Sequence, residues 1–237
     1  MRIDKYLVEN GYFESRNRAL EAIKSGRIKV DGRVIKPSVK VNTSSIIEIE
    51  DEKFYVSRAG RKLESFLDSH NIDLNGKSAV DIGSSTGGFA QILLENGVEH
   101  IECVDVGTNQ LHISLREDSK ISINENTDIR DFISECSFDI VSCDVSFISI
   151  SQIMEDINRL AKSGGDIIIL YKPQFEVGKD VRRDSKGVVT DQDAIDRKKE
   201  TFELQSKELN WTLVYQEPSK IVGKSGNQEY LYHFTKH

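Results

Sequence analysis

The chain is poor in several residue types. Its 237 residues include 3 cysteines, 3 prolines, 2 methionines and 1 tryptophan. Cys103, Cys136 and Cys143 are odd in number and form no CxxC pair, which points to reduced, buried thiols. The five histidines show no HExxH spacing, so no metal is expected. No apolar run reaches about 18 residues, so no membrane partner is expected. The opening MRIDKYLVEN lacks the apolar core of a signal peptide. Together these features lead to the expectation of a cytoplasmic protein.

What is present is unevenly distributed. The net charge is −7, yet residues 1–62 hold 14 Lys and Arg against 9 Asp and Glu. That is a basic module of about +5 on an acidic body of about −12, and phosphate binding needs local positive charge rather than a basic average. Residues 2–10 fit a short amphipathic helix with Ile3, Tyr6 and Leu7 on one face, ended by Gly11. Ser15 is placed to cap a second helix, SRNRALEAIKSG, with Ala19, Leu20 and Ile23 facing a core. RIKVDGRVI reads as two strands around an Asp-Gly turn, and IIEIE as a closing strand. Arg16, Arg18, Lys24, Arg27 and Lys29 crowd the second helix and the strand after it.

This order of pieces resembles the small RNA-binding domain first described in a small-subunit ribosomal protein and shared with pseudouridine synthases and tyrosyl-tRNA synthetase. The carriers are R-I-D-K-Y-L and F-E-S-R-N-R-A-L-E-A-I-K-S-G-R-I-K-V-D-G. The resemblance implies contacts with structured RNA from Arg2, Lys5, Arg16, Arg18, Lys24, Arg27 and Lys29. The expected organisation is an RNA-binding domain over 1–52, a linker over 53–61 and a larger domain over 62–237.

The larger part alternates strands and helices. SAVDIGSSTGGF, 78–89, reads as a buried strand, a tight turn and a helix start, with Gly83, Gly87 and Gly88 letting the backbone approach a ligand. It is neither GxGxxG nor a phosphate loop with Gly-Lys-Ser/Thr. The next strand ends at Asp105, 24 residues after Asp81, where an acid can accept the hydroxyls of a ribose. Further strands are expected at Ile121 to Asn124, at Phe138 to Phe147 through Asp144, and at DIIILYKPQF, where Lys172 stands at the end. A helix over 149–163, stopped by Gly164-Gly165, should separate the last two. Pro173 is expected to forbid a helix immediately, leaving a charged loop over 174–190. Asp191 should cap a helix to about Leu209, and WTLVYQE and EYLYHFT should be the last strands. The fold class is α/β, a doubly wound, Rossmann-like sheet beside a small α+β domain.

Six stretches carry a second resemblance, over essentially the whole chain: S-R-A-G-R-K-L, D-I-G-S-S-T-G-G-F, V-D-V-G-T-N-Q-L, D-V-S-F-I-S, K-P-Q-F-E and G-N-Q-E-Y-L. They resemble the TlyA/hemolysin A family within the FtsJ-like ribose methyltransferases. The resemblance implies a seven-stranded sheet of order 3-2-1-4-5-7-6, S-adenosyl-L-methionine as cofactor, and a ribose 2′-hydroxyl of ribosomal RNA, free or in a ribosomal subunit, as substrate. Cytidine is the implied nucleoside. It implies a Lys-Asp-Lys-Glu tetrad at Lys62, Asp144, Lys172 and Glu229. Gly83, Ser84, Ser85, Gly87 and Gly88 would take the methionine side of the cofactor, Asp105 its ribose, and Val106 its adenine. The family pattern has Thr-Asn where this chain has Thr127-Asp128, so Asp128 would accept from the adenine amino group in place of an amide. Asp81 would support the turn or the cofactor's amino group.

The chemistry explains the residue types. A ribose hydroxyl is a weak acid, and methyl transfer to it needs in-line geometry and removal of its proton. A buried lysine beside a second cation can serve as a neutral base. Lys172 is assigned that role, with Lys62 the other candidate, and Asp144 and Glu229 orient the pair. Ser57 is expected to cap a helix with Ala59, Leu63, Phe66 and Leu67 on its apolar face, so that Lys62 lies along the sheet rim. Arg58 and Arg61 would then meet RNA backbone, as would Arg182, Arg183 and Lys186 in the long loop. The rival readings are a catalytically inactive RNA-binding protein, a membrane-acting haemolysin and a small-molecule methyltransferase.

Overall fold

The computed structural model describes residues 1–13, 15–42, 44–50 and 53–237. The chain divides into two compact units, Met1–Phe54 and Tyr55–His237. The boundary expected after residue 52 falls on 51–52, outside the described residues.

In the first unit, α1 (Ile3–Glu9) buries Ile3 and Leu7, one turn apart. Ser15 Oγ accepts from the N–H of Arg18 and opens α2 (Arg16–Lys24). Ala19 and Ile23 are buried as expected, but Ala22, not Leu20, completes the inward face. β1 (Ile28–Val30) and β2 (Arg33–Val34) turn on Asp31 and Gly32, both left-handed at φ 50° and 74°. A two-residue hairpin of the primed type requires this geometry. β3 (Ile47–Ile49) pairs on the other side of β1.

The second unit begins with α3 (Arg58–Ser69), capped by Ser57 Oγ on the N–H of Ala59. Then follow β4 (Ser78–Ile82), α4 (Gly88–Glu95), β5 (His100–Val104), α5 (Ile113–Arg116), β6 (Ile121–Asn124), β7 (Phe138–Cys143) and α6 (Met154–Leu160). The chain closes with β8 (Ala161–Tyr171), α7 (Pro173–Glu176), α8 (Gln192–Glu208), β9 (Trp211–Pro218) and β10 (Tyr230–Lys236). The sheet order is β6-β5-β4-β7-β8-β10-β9, the expected one. The first five strands run parallel and β10 is antiparallel to both its neighbours.

Alternation along the strands builds two cores. Val80, Ile82, Val141, Ile167 and Ile169 pack with Ile157 of α6 and Phe202 of α8. Ala79, Ile101, Ile140, Ile168 and Leu170 pack with Leu63 and Phe66 of α3 and Phe89 and Ile92 of α4. A parallel strand buried on both faces needs this continuous apolar run. The strand order reverses at β4, whose parallel neighbours are β5 and β7, so the crevice at their carboxyl ends is the place for a ligand.

Of the three thiols expected to be buried, Cys103 and Cys143 are, but Cys136 is exposed on the loop before β7. Three expectations about elements are also corrected. The helix over 149–163 is a 3₁₀ turn at Ile150–Gln152 and then α6, while Ala161 already belongs to β8. Gly164 and Gly165 do not stop a helix. They form a bulge in β8, where the pairing jumps from Phe138↔Ala161 to Ile140↔Asp166 and Gly164 is left-handed at φ 77°. Pro173 does not forbid a helix: it is the first residue of α7, where its missing N–H has no partner to lose. The expected loop 174–190 therefore starts as a helical turn and also carries the bridge Arg183↔Val189.

Candidate active site

The turn after β4 sets the site. Gly83 is left-handed at φ 76°, and a Cβ there would lie 3.1 Å from the carbonyl oxygen of Asp144. The loop 83–87 can thus pass directly over the end of β7. Beneath it, Asp81 is fully buried, accepting from Ser142 Oγ at 2.7 Å and from the N–H of Ala90 at 3.2 Å. Burial pushes its carboxyl up to about 7.

The four expected catalytic side chains come from separate elements and meet in one cleft of about 590 Å³. Lys62 stands on α3, Asp144 follows β7, Lys172 follows β8 and Glu229 precedes β10. Lys62 Nζ donates to Glu229 Oε2 at 2.5 Å, and both are at least nine-tenths buried. Lys172 Nζ lies 2.7 Å from Asp144 Oδ1 and donates to Ser146 Oγ at 2.9 Å. Burial raises the Asp144 carboxyl against the pull of Lys172, with Lys62 lowering it further and Glu229 raising it. Two lysine–carboxylate pairs therefore sense one another across the cleft. Glu229 needs room: a Cβ on Gly223 would sit 2.5 Å from Glu229 Oε1.

A second cleft, about 350 Å³, shares Gly83, Ser85, Asp144, Ser146 and Phe147 with the first. It is lined by Asp105, Val106, Asp128 and the apolar Val104, Ile129 and Ile148. Asp105 Oδ2 accepts from the N–H of Ser85 at 2.8 Å and Oδ1 from that of Gly107 at 2.7 Å. Asp128 accepts from Arg130, whose hydrogen bond is the main force holding its carboxyl down to about 2. A slot with acids at one side and aliphatic walls suits a nucleoside, hydroxyls toward the acids. Of the expected cofactor residues, Gly83 and Ser85 line both clefts. Ser84, Gly88 and Asp81 line the larger one only. Gly87 lines neither and instead packs on α5, where a Cβ would lie 2.2 Å from Leu115 Cδ1.

The cations assigned to RNA are mostly paired. Arg2 and Arg16 both bind the buried carboxylate of Asp4, at 3.1 and 2.6 Å. Lys5 reaches Glu9, Arg18 reaches Glu21 and Lys29 reaches Glu50. Arg27 donates to Ser25 Oγ, while Lys24 is exposed on the last turn of α2. Arg58 donates to the carbonyl of Val222 at 2.5 Å and lines the larger cleft. Arg61 lies over the Tyr55 ring at 6.0 Å. Arg182 is exposed. Arg183 instead donates to the carbonyls of Gln174 and Gly178, both at 3.0 Å, so its guanidinium ties the loop to α7.

Sequence reasoning missed Gln174, whose Nε2 donates to Glu229 Oε1 at 2.9 Å, and Ser146, the hydroxyl partner of Lys172. Both stand inside stretches already singled out, KPQFE and DVSFIS, two residues after a charged one. It also missed Glu125, whose carboxylate accepts from the N–H groups of Asn109, Gln110 and Leu111 and fixes the loop after Asp105.

Comparison with known proteins agrees with this geometry. Residues 55–236 match the FtsJ-like methyltransferase family and residues 1–47 the S4 domain. The chain is 43% identical to the 23S rRNA (cytidine-2′-O)-methyltransferase TlyA of Campylobacter jejuni, over the full length of both. It is 36% identical to the 16S/23S rRNA (cytidine-2′-O)-methyltransferase TlyA of Mycobacterium tuberculosis, over 97% of this chain and 88% of that one. A solved structure from Streptococcus thermophilus that carries a provisional hemolysin name superposes with a TM-score of 0.73 at 33% identity, covering 100% of this chain and 88% of that chain. A methyltransferase sheet with its glycine turn, preceded by an S4 domain and matched end to end by such relatives, places the chain in the TlyA/hemolysin A family of FtsJ-like methyltransferases.

Proposed function

We propose that the protein methylates a ribose 2′-hydroxyl of ribosomal RNA, on cytidine, using S-adenosyl-L-methionine. The observation that carries the reading is the convergence of Lys62–Glu229 and Lys172–Asp144 on one cleft, beside a nucleoside-sized slot under the same glycine turn. The names of the relatives support the cytidine ribose and the ribosomal RNA, and the S4 match supports RNA capture by the first unit.

When bound, the cofactor supplies an electrophilic methyl group on a sulfonium. Asp105 would accept its ribose hydroxyls, Asp128 would accept from the adenine amino group, and Val106, Ile129 and Ile148 offer apolar walls to the ring. Ser84, Ser85 and the loop backbone face its amino-acid end. Lys172, in its neutral form, takes the proton of the 2′-hydroxyl at Nζ. It is favoured over Lys62 because its partners, Asp144 and Ser146, line both clefts, so its amine stands at their junction. Asp144 aims the amine. Lys62, held by Glu229, which Gln174 orients, stabilises the oxygen as it gains negative charge. Arg58 and Lys186, on the cleft wall, meet the adjoining phosphates.

The test is Lys172→Ala with tritiated cofactor and ribosomal subunits or rRNA. Transfer should vanish while cofactor binding survives. A near-normal single-turnover rate in that variant overturns the assignment of the base, and no transfer by the wild type to any rRNA overturns the function.

A further inference from the structure

The two segments that carry the Lys172–Asp144 pair touch a second time, several residues downstream. Asp144 opens the run Asp144 to Ile150 at the end of β7, and Lys172 opens the run Lys172 to Glu176 at the end of β8. At the near end Lys172 holds Asp144 and Ser146. At the middle, Phe147 and Phe175 meet with ring centroids 5.2 Å apart. At the far end the Glu176 carboxylate takes two donors: Ser149 Oγ at 2.5 Å on Oε2 and the N–H of Ile150 at 3.0 Å on Oε1.

Glu176 is only 8% exposed, and both hydrogen-bond donors are neutral groups of the opposite segment. The cationic influence on it, from Lys198, is the weakest of the forces acting on it, and burial raises its carboxyl. A buried carboxylate with no close cation costs stability. An apolar residue would pack the same space more cheaply, so the contact points to a requirement other than stability. α7 is a single turn of four residues and makes few restraints of its own.

We propose that Glu176 is a positioning residue, a clasp that fixes the strand-end segment bearing Asp144 and Ser146 against the one bearing Lys172, and so sets the aim of the Lys172 amine. The clasp and the amine are four residues apart on one segment, and their donors and acceptors are three to six residues apart on the other. Rotation of either segment is thereby blocked at both ends. This inference rests on the proposed role of Lys172.

The experiment measures single-turnover methyl transfer to rRNA, cofactor Kd and thermal unfolding for Glu176→Gln, Ser149→Ala and the pair together. A loss of about 10- to 100-fold in the transfer rate is expected for Glu176→Gln, the size of effect that a misplacement near 1 Å produces. Cofactor Kd should change much less than the rate, because neither Glu176 nor Ser149 lines the slot, although Ser146, Phe147 and Ile148 of the clasped segment do. The double variant should be no slower than the slower single one, since the two groups form one contact. If Glu176→Gln does not fold, Ser149→Ala alone carries the test, and it should show the same split between rate and Kd. Folded variants with wild-type rates overturn the clasp, as does a loss confined to Kd and unfolding temperature. An inactive wild type instead overturns the function itself, and a fully active Lys172→Ala overturns the base through which Glu176 is argued to act.

Discussion

Gly60 and Gly88 meet backbone to backbone. A Cβ on Gly60 would fall 2.9 Å from the carbonyl oxygen of Gly88, and one on Gly88 would fall 2.1 Å from Ser57 Oγ. This approach seats the first turn of α3 on the first turn of α4, and Lys62 follows two residues later. The helix that carries Lys62 is seated by a glycine contact, and Glu229 then holds its ammonium in the cleft.

Gly60→Ala should therefore run against the usual trend. In an open helix this change stabilises by roughly 1 kcal/mol. Here the added methyl meets backbone, and a loss of about 1–3 kcal/mol is expected, together with reduced methyl transfer as Lys62 shifts. Thermal unfolding and transfer rates on the same preparation check both.

Glu229→Ala should destabilise the fold by about 3–5 kcal/mol, since it leaves the buried Lys62 ammonium without its partner. Lys62→Met combined with Glu229→Gln should recover most of that loss yet remain inactive. Denaturant unfolding of the three proteins separates the two effects.

Two carboxyls predict opposite pH slopes. Asp81 keeps its proton to about 7 in the fold, against a usual value near 3.8. The folded state thus binds more protons between these values, and this group lowers stability as pH rises from about 4 to 7. Asp81→Asn should flatten that fall. Glu125 is held down to about 2 by Arg116 first, then by loop N–H groups, against a usual 4.5. Its contribution is full above about 4.5 and lost as pH drops toward 2, so Glu125→Gln should flatten the acid limb. Unfolding free energies from pH 2 to 8 test both signs.

Lys24→Ala should weaken binding to rRNA and lower the slope of log affinity against log salt by about 1, leaving cofactor affinity unchanged. Arg2→Ala should do more than remove a contact, because Asp4, fully buried, would keep only Arg16. Salt titrations of rRNA binding distinguish the two cases.

Much of this was legible in the order of residues. Strands with apolar runs on both faces, β4, β5, β7 and the core of β8, stood out because parallel strands must be apolar throughout. Ser15, Ser57 and Asp191 were readable as caps because each supplies a side-chain oxygen to an early helical N–H. The error at 149–163 arose where Ala161, Lys162 and Ser163 look helical by composition but are drawn into β8 by pairing with β7. Gly-Gly signals a left-handed backbone, and a bulge needs it as much as a helix end does. The tetrad followed from family resemblance, while its supports Gln174, Ser146 and Glu176 did not. Their roles depend on which strand ends lie side by side, and spacing along the chain does not encode that.

The strand order also governs when the enzyme becomes whole during its synthesis. β10 lies between β8 and β9 and, among the described residues, is the only sheet partner of β9, so β9 emerges from the ribosome before its strand partner. Glu229 arrives one residue before β10 begins. A chain interrupted between β8 and β10 would already contain the glycine turn and every residue lining the nucleoside slot. It would lack the acid that steadies Lys62. β10 is thus the keystone of the sheet, and a copy made only as far as β9 has the lysines without the full set of acids.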